Sequence, residues 1–292
     1  MNSMISLIQR LEGQPARGRK RTILQFLDSE RIPFSLHRYR ELFVPTDNII
    51  VAKQGRSSRE ILLLSHYDTY HGNPGANDNA SSVAVSLNVI TRLLHENTYC
   101  TVKAVIFDDE EPCPWRPRPC LGSRKYVAEH GLQDVSGVFC LELCGAGDTV
   151  VVWPVSEADA GSVVLSSMSE VCTASGIPYE LIAKLPGFTS DFMPFRKAGV
   201  YEAFCMSIAP SKERERLRAL FSASILKLLF CVEIPKLFGF TKHLPELIRY
   251  YHTKNDRAKN LSEQSLQIAA DTLYNAVLNY DDKVRRANPE PA

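Results

Sequence analysis

The chain has 292 residues, of which 34 are Lys or Arg and 33 are Asp or Glu, so its formal net charge is +1. Nucleic acids and anionic membranes attract proteins with a strong basic excess, and the near-neutral balance of this chain argues against both partners. A hydrophobic fraction of 45% is typical of globular proteins and excludes a chain that is mainly disordered. The length fits one large domain or two small ones.

Cysteine usage and the N-terminal sequence indicate the compartment. The eight cysteines form no Cys-x-x-Cys pair and are spread through apolar segments, which is typical of buried, reduced thiols. The opening sequence MNSMISLIQRLEGQPARGRK lacks the charged start, apolar run and cleavage site of a signal peptide. The sequence also lacks the uninterrupted apolar stretch of about 18 residues that a membrane span requires. We therefore expect a cytoplasmic protein without a membrane span.

Short apolar runs alternate with segments of helical periodicity along the chain, a pattern that predicts an α/β fold. Residues 1–45 are predicted to form a leading helix and strand that pack on the main core. The predicted strands cover residues 60–65, 101–107, 135–143, 149–153 and 200–207. The predicted helices cover residues 81–94, 122–129, 158–175 and 263–280, the last with Ser262 as its N-cap. The order of these elements predicts a central mixed, mostly parallel β-sheet flanked by helices.

The first strong strand ends in the loop SHYDTYHGNPGANDN, which contains His66, Asp68 and Asp78. Ligands of open α/β proteins bind beyond the carboxyl ends of the strands, so this loop has the expected position for a functional site. A carboxylate two residues after a histidine can hold the imidazole in one tautomer, as it does for metal-bound histidines. From these residues alone, a metal site and an Asx-rich turn are equally good interpretations.

Further carboxylates follow the next two predicted strands. Four consecutive acids, residues 108–111, come directly after an apolar strand, where their repulsion must be offset by a cation or by protons. A solvated charge run is the common explanation of such a stretch. Glu142 is predicted within the third apolar strand, where a buried carboxylate needs a partner and a metal is a candidate. With His252 in a later polar turn, the set matches the ligands of a catalytic zinc site.

Taken in order, these segments resemble the co-catalytic zinc aminopeptidase family, which also contains the glutaminyl cyclases and the glutamate carboxypeptidases. The motifs that carry the resemblance are His66-x-Asp68, GANDN with Asp78, Glu110-Glu111 followed by Gly122-Ser123, Glu142 at the third strand, Ser190-Asp191, and His252-Thr253. The resemblance covers roughly residues 45–280, and its specificity lies in the ordered series. It implies one zinc peptidase-like domain over residues 1–292, built as a three-layer α/β sandwich.

The resemblance also implies a role for each motif residue. Five side chains would hold zinc, with two ions expected and a single ion as the alternative. They form two sets that share one carboxylate: His66, Asp78 and Glu142, and Asp78, Glu111 and His252. Glu110 would be the general base, with Asp68 and Asp191 as the other catalytic carboxylates. The implied activity is hydrolysis of an amide bond at the free N-terminus of a peptide or a small peptide-like substrate.

Three features differ from the family pattern. Glu142 stands where the family usually has Asp, and Phe192 stands where it commonly has His. The link between Glu110-Glu111 and Gly122 is long and contains Trp, which resembles glutaminyl cyclases. A glutaminyl cyclase, with one zinc held by counterparts of Asp78, Glu111 and His252, is therefore the alternative function. A non-catalytic scaffold of the same fold is a third interpretation.

Several residues near these motifs are candidates for substrate contact. Trp115, Arg116 and Arg118 lie in the loop after the glutamate pair, where an aromatic wall with two guanidinium groups can recognise a carboxylate or an aromatic group. A proline-stiffened surface loop explains these residues equally well. Tyr251, which precedes His252, is the fourth candidate. Residues 212–251 exceed the length that the family needs, and we expect them to form a lid or a homodimer contact.

Overall fold

The computed structural model describes residues 3–41, 44–113, 117–183, 189–221, 242 and 244–289. Within these ranges one sheet contains eight strands. In chain order the strands are β1 (Ser35–Glu41), β2 (Val44–Lys53), β3 (Glu60–His66), β4 (Thr101–Phe107), β5 (Val135–Leu141), β6 (Thr149–Trp153), β7 (Tyr179–Leu181) and β8 (Ala203–Ala209). Their spatial order across the sheet is β1-β2-β4-β3-β5-β8-β6-β7.

The four central strands of the sheet, β4, β3, β5 and β8, run parallel to one another. The strand β2 is antiparallel to β4, β1 is antiparallel to β2, and β6 is antiparallel to β8, whereas β7 runs parallel to β6. The prediction of a mixed, mostly parallel sheet is therefore confirmed. Because the carboxyl ends of the central strands lie on one edge of the sheet, the loops that follow them converge there.

Helices cover both faces of the sheet, as predicted. Among the described residues they are α1 (Met4–Leu11), α2 (Ala16–Ser29), α3 (Ser82–Leu93), α4 (Leu121–Glu129), α5 (Val163–Ala174), α6 (Phe192–Lys197), α7 (Arg214–Phe221), α8 (Glu246–Arg249) and α9 (Glu263–Ala287). Ile61 and Leu63 of β3 belong to the apolar cluster that contains α1, α2, α3, α5 and α9. Leu62 and Leu64 belong to the cluster that contains α4, α6, α7 and α8. This alternation follows from the two-residue period of a strand, and it gives the expected three layers.

Several helix boundaries differ from the prediction. The N-terminal lead-in, residues 1–45, contains two helices, α1 and α2, before β1, where one helix was predicted. It continues into the strand β2, which was not predicted. The helix α5 begins at Val163 rather than at residue 158, because the Ser162 side chain accepts a hydrogen bond from the Leu165 N–H at 3.1 Å. The helix α9 continues to Ala287 and has Ser262 as its N-cap, as predicted.

Two strand boundaries also differ, and one of them concerns the candidate site. The strand β5 ends at Leu141, so Glu142 follows the strand and does not lie within it as predicted. The Glu142 N–H donates to the Met206 carbonyl oxygen at 3.0 Å, which keeps this residue in line with β8. The strand β8 begins at Ala203 rather than at residue 200, because the Val200 N–H is engaged in a turn with the Phe195 carbonyl.

The segment 212–251 is only partly described. Residues 222–241 and 243 lie outside the described part of the chain, and α7 and α8 belong to the remainder. The expectation of a lid or dimer contact therefore stays a prediction. Every cysteine in the described part of the chain is a free thiol. No helix in that part is long and apolar enough to cross a membrane.

Candidate active site

Loops at the carboxyl edge of the sheet bring one histidine and two carboxylates together. His66 is the last residue of β3, Asp78 lies four residues before α3 in a non-helical conformation (φ −112°, ψ 89°), and Glu142 follows β5. The His66 Nε2 atom lies 3.5 Å from Asp78 Oδ1 and 3.6 Å from Glu142 Oε2. All three residues are buried, and their ligand atoms lie within 4.8 Å of one another. These three residues, called the first set below, have the dimensions of a site for one metal ion.

A second set of the same dimensions shares Asp78 with the first. Its other members are Glu111, which follows β4, and His252, which lies in the turn after α8. The His252 Nε2 atom lies 3.0 Å from Glu111 Oε1 and 3.4 Å from Asp78 Oδ2. The two carboxylate oxygens of Asp78 thus face different imidazoles, Oδ1 towards His66 and Oδ2 towards His252. This arrangement allows one carboxylate to contribute to two adjacent metal positions.

The chemistry of this cluster fits divalent cations. The acids grouped here are Asp68, Asp78, Glu110, Glu111, Glu142 and Asp191, and each side chain is at most about one-tenth exposed. Two imidazoles cannot offset so much negative charge away from water, so the acids must bind cations or hold protons. Zinc takes imidazole nitrogen and carboxylate oxygen, and three protein ligands leave the open position that is typical of a catalytic site.

The ionisation of the cluster without metal is strongly perturbed. Burial raises the pKa of Glu110 and of Glu111 well above the usual range, and the charge of Asp191 adds to the effect on Glu110. Burial opposes protonation of His66, but the Glu142 charge and its carboxylate hydrogen bonds raise the pKa of this imidazole well above its ordinary value. Burial also opposes ionisation of Asp78, but its hydrogen bond with His66 lowers the pKa of this carboxyl. The metal-free cluster therefore retains protons that a bound cation would displace.

Asp68 connects β3 to the glutamate pair. Its Oδ1 atom lies 3.2 Å from His66 Nδ1, on the side of the ring that faces away from the first set. The same carboxylate accepts the Glu110 N–H at 3.2 Å and the Glu111 N–H at 2.9 Å. A partner of this kind fixes the orientation of metal ligands without touching the metal. Asp68 therefore lies where it can hold the His66 imidazole, as its spacing indicated, and its prediction as a catalytic carboxylate stays a prediction.

Glu110 and Asp191 lie beside the two sets. The Glu110 Oε2 atom lies 3.9 Å from His66 Nε2, and its Oε1 atom accepts a hydrogen bond from the Cys120 thiol at 3.3 Å. Asp191 comes directly before α6 and is fully buried, and burial raises the pKa of its carboxyl to about 8. Glu142 contributes to that rise, so the three acids interact electrostatically. Such a group can store and return a proton.

The structure also accounts for two departures from the family pattern. Glu142 has a longer side chain than Asp, and its Oε1 atom accepts a hydrogen bond from the Ser190 hydroxyl at 2.7 Å. The other oxygen, Oε2, lies 3.6 Å from His66 Nε2 and remains part of the first set, so the first set accommodates the extra methylene. Phe192 is buried and packs edge-on against Trp153, with ring centroids 5.5 Å apart. Phe192 is therefore a core residue and not a site residue.

Two tyrosines flank the imidazole of His252. The Tyr70 ring stacks on it with centroids 4.0 Å apart, and the Tyr251 ring stacks on it at 3.7 Å. Two nearly parallel rings at such distances must lie on opposite faces of the imidazole. The stack restrains the ring of His252, whose backbone has a positive φ of 59°. Tyr251 was predicted to contact substrate, and the structure places it against a predicted metal ligand.

Sequence patterns gave no role to two residues behind the ligands. The Asp256 carboxylate accepts the N–H groups of Asn77 at 2.6 Å and of Asp78 at 3.0 Å, and it thereby fixes the shared ligand. Its spacing of four residues after His252 was the signal that could have identified it. Arg19 of α2 is completely buried near Asp256 and Asp78, and burial lowers the pKa of its guanidinium to about 10. Nothing in the basic sequence ARGRKR distinguishes Arg19 from its exposed neighbours.

The predicted substrate-binding loop contributes little to this geometry. Trp115 and Arg116 lie outside the described residues. Arg118 is exposed, and its carbonyl oxygen accepts a hydrogen bond from the Arg124 side chain at 3.2 Å. Their proposed contacts with substrate therefore stay predictions.

Comparison with known proteins gives one family match and several similar structures. The model of peptidase family M28 matches residues 48–277. The aminopeptidase YwaD of Bacillus subtilis strain 168 is 24% identical over 239 residues, which make up 80% of this chain and 44% of that protein. The structure of BSAP, a zinc aminopeptidase from Bacillus subtilis, matches with a TM-score of 0.60 and 20% identity, over 81% of this chain and 50% of that chain.

Glutaminyl cyclases match over a larger share of both chains. The glutaminyl cyclase of Porphyromonas gingivalis has a TM-score of 0.69 and 20% identity, and the match covers 97% of this chain and 98% of that chain. The chain thus spans half or less of the length of the two aminopeptidases, but nearly the whole length of this cyclase. Identities this low show a common fold.

Proposed function

Because the chain belongs to peptidase family M28, we propose that it is a zinc aminopeptidase that removes the N-terminal residue of a peptide or small peptide-like substrate. The observation that carries this proposal is the pair of complete ligand sets that share Asp78. Two adjacent metals are a common arrangement in aminopeptidases and other hydrolases, where they clamp the reacting oxygens. A scaffold without activity would have no reason to keep six acids buried beside two histidines.

The mechanism assigns one step to Glu110. Zinc bound by the two sets would polarise the scissile carbonyl and acidify water. Glu110 takes the proton of the attacking water and passes it to the leaving amine. Glu110 is placed for this transfer because it lies beside both sets, with its Oε2 atom 3.9 Å from His66 Nε2. The Asp68 hydrogen bond to its N–H and the Cys120 thiol keep the carboxylate of Glu110 in place.

A glutaminyl cyclase is the second candidate, and a specific observation favours it. The chain matches the cyclase from Porphyromonas gingivalis over nearly the full length of both proteins, whereas it matches the aminopeptidases over half or less of their length. The buried acids Glu110, Glu142 and Asp191 are also suited to a proton relay during ring closure. In that case the second set would hold a single zinc, and Glu142 would serve the relay instead of a metal.

Two measurements separate these candidates. The zinc-loaded protein is incubated with aminoacyl amides and with peptides that begin with Gln, and the products are identified by mass spectrometry. Release of free amino acids supports the aminopeptidase, whereas loss of ammonia from N-terminal Gln with ring closure identifies a cyclase. Metal analysis of the same preparation should give two zinc ions per chain for the aminopeptidase and one for the cyclase. N-acetylated peptides are the matched control, because both reactions need a free amine.

A further inference from the structure

The N-terminal helices contain a buried cation that faces the candidate metal site. Arg19 of α2 lies outside the range that the family model matches, residues 48–277. It is nevertheless 0% exposed, and its charge lies near Asp256, Asp78 and Asp68. Burial of a guanidinium is costly unless its N–H groups are used, so the contacts of Arg19 indicate what the burial achieves.

Arg19 joins the two ends of one loop. The Nη1 atom donates to the Tyr67 carbonyl oxygen at 3.4 Å, and the Nη2 atom donates to the carbonyl oxygens of Pro74 at 2.6 Å and Gly75 at 2.7 Å. Tyr67 directly follows His66, and Gly75 lies three residues before Asp78. The guanidinium therefore closes the loop that separates two members of the first set.

Gly75 lets the Arg19 guanidinium approach the backbone because it has no side chain. Its φ is +63°, a conformation that favours glycine, and a Cβ atom at this position would lie 2.6 Å from Arg19 Nη2. The same Cβ would lie 2.3 Å from Thr69 Cγ2. A side chain at residue 75 would thus displace the guanidinium from the carbonyl groups. The approach of Arg19 to the backbone depends on the absence of that side chain.

The connection between α1 and α2 contacts the same loop as Arg19 and, in addition, the loop that follows His252. The Gly13 N–H donates to the Pro74 carbonyl oxygen at 2.9 Å. The Glu12 carboxylate accepts from Arg257 Nη1 and from the Ala258 N–H, both at 2.9 Å. Ala258 lies two residues after Asp256, which fixes the backbone of Asp78. The N-terminal segment therefore contacts the loop that carries Asp78 and also the loop that carries Asp256, the residue that holds the backbone of Asp78.

We propose that Arg19 is a positioning residue of the metal site, which closes the loop between His66 and Asp78 so that both ligands converge on one ion. The proposal rests on the proposed function only in requiring a divalent metal at the first set. It applies to an aminopeptidase with metal at both sets, but not to the cyclase described above, whose single zinc would lie at the second set. It also gives the lead-in a functional role in addition to its packing.

The direction in which metal affinity changes distinguishes a positioning role of Arg19 from a purely electrostatic role. A positive charge near the site repels a cation, so a purely electrostatic role predicts tighter metal binding when the charge is removed. A positioning role predicts weaker binding whenever the fork of N–H donors is lost, even if the charge stays. Lysine keeps the charge but cannot donate to carbonyl groups at both ends of the loop in the geometry of a guanidinium. Arg19→Lys and Arg19→Met together therefore separate the two roles.

The experiment measures metal binding by the metal-free full-length chain. Zn²⁺ affinity is determined by competition with a chromophoric chelator, and Co²⁺ binding is followed through the visible absorption of the coordinated ion. We expect both Arg19 variants to bind Zn²⁺ more weakly, by about 10- to 100-fold, the range seen when partners of metal ligands are removed. We also expect an altered Co²⁺ spectrum. Arg21→Met is the matched control, because Arg21 is exposed on the same helix, and it should match the wild type.

Three results would overturn the proposal. Unchanged Zn²⁺ affinity in both folded variants assigns Arg19 to stability of the fold alone. Tighter binding in Arg19→Met with no change in Arg19→Lys assigns it a purely electrostatic role. Wild-type binding by Arg19→Lys is sufficient to reject the proposal if Arg19→Met does not fold. The zinc content of the wild type tests the proposed function separately. One zinc per chain together with ring closure on N-terminal Gln would reject the aminopeptidase, whereas two zinc ions per chain with unchanged affinity in both variants would reject the role of Arg19 alone.

Discussion

Replacement of Asp256 by Asn tests how the shared ligand is held. The Asp256 carboxylate accepts two backbone N–H groups, from Asn77 at 2.6 Å and from Asp78 at 3.0 Å. An amide has a single acceptor oxygen, so one of these N–H groups would face an NH₂ group and lose its partner. Because burial raises the pKa of Asp256 to about 7, the comparison is made at pH 8, where the carboxyl is mostly ionised. A hydrogen bond to a charged group contributes about 1.5–3 kcal/mol, and each 1.4 kcal/mol corresponds to about a tenfold change in affinity. Because Asp78 serves both sets, we expect Zn²⁺ affinity to fall by up to about 100-fold.

The assay is a competition titration of metal-free protein with Zn²⁺, together with thermal unfolding in the absence and presence of the metal. Asp282→Asn is the control, because Asp282 lies on α9 and pairs with Arg285 and Arg286 of the same helix. The Asp256→Asn variant should lose much of the thermal stabilisation that Zn²⁺ gives to the wild type. If its Zn²⁺ affinity stays within about twofold of the wild type while stability falls, the hydrogen bonds to Asn77 and Asp78 support the fold only.

Three further outcomes are expected. Glu110→Gln should reduce turnover by about 10²- to 10⁴-fold with unchanged zinc content, and unchanged turnover would exclude Glu110 as the general base. Tyr70→Ala should accelerate zinc loss from the second set whereas Tyr70→Phe should not, because only the stacked ring holds His252; equal rates would contradict this role. The metal-free chain should become less stable as pH rises from about 4 to about 8, since burial raises the pKa of Asp256 to about 7 and that of Asp191 to about 8. The folded state then binds more protons than the unfolded state, and a melting temperature that rises over this range would contradict the assignment.

The central strands of the sheet could be predicted because they are short, mostly apolar runs in the sequence. β3 and β4 are apolar runs, because both faces of these strands are covered by helices and alternation with polar residues is absent. The polar residues that interrupt this pattern then mark the strand ends. His66 and the acids after β4 were identified in this way, and the parallel order of the strands brings them to one edge. Local sequence and topology together are thus sufficient to place these ligands near one another.

The lead-in was harder to predict because its role depends on contacts that are remote in sequence. Arg19 bonds to residues about fifty positions away, and neither its neighbours nor its helix indicates burial. The strand β2 carries polar residues such as Asp47 and Asn48, so its pattern is weak, although β2 pairs with β1 and β4. Periodicity detects a face that packs on a core, but it does not detect a single side chain that closes a distant loop.

Glu142 shows how tertiary structure decides a question that residue type leaves open. This chain has Glu142 where the family usually has Asp, and the side chain of Glu is one methylene longer. The strand β5 ends at Leu141, two residues before the predicted end at residue 143. The Ser190 hydroxyl donates to one oxygen of Glu142, and the other oxygen faces His66. Shortening this residue to Asp would therefore remove either the bond to Ser190 or the contact with the first set. The position of the backbone after β5 and the hydroxyl of Ser190 thus decide where the carboxylate of Glu142 lies, and residue type alone does not reveal it.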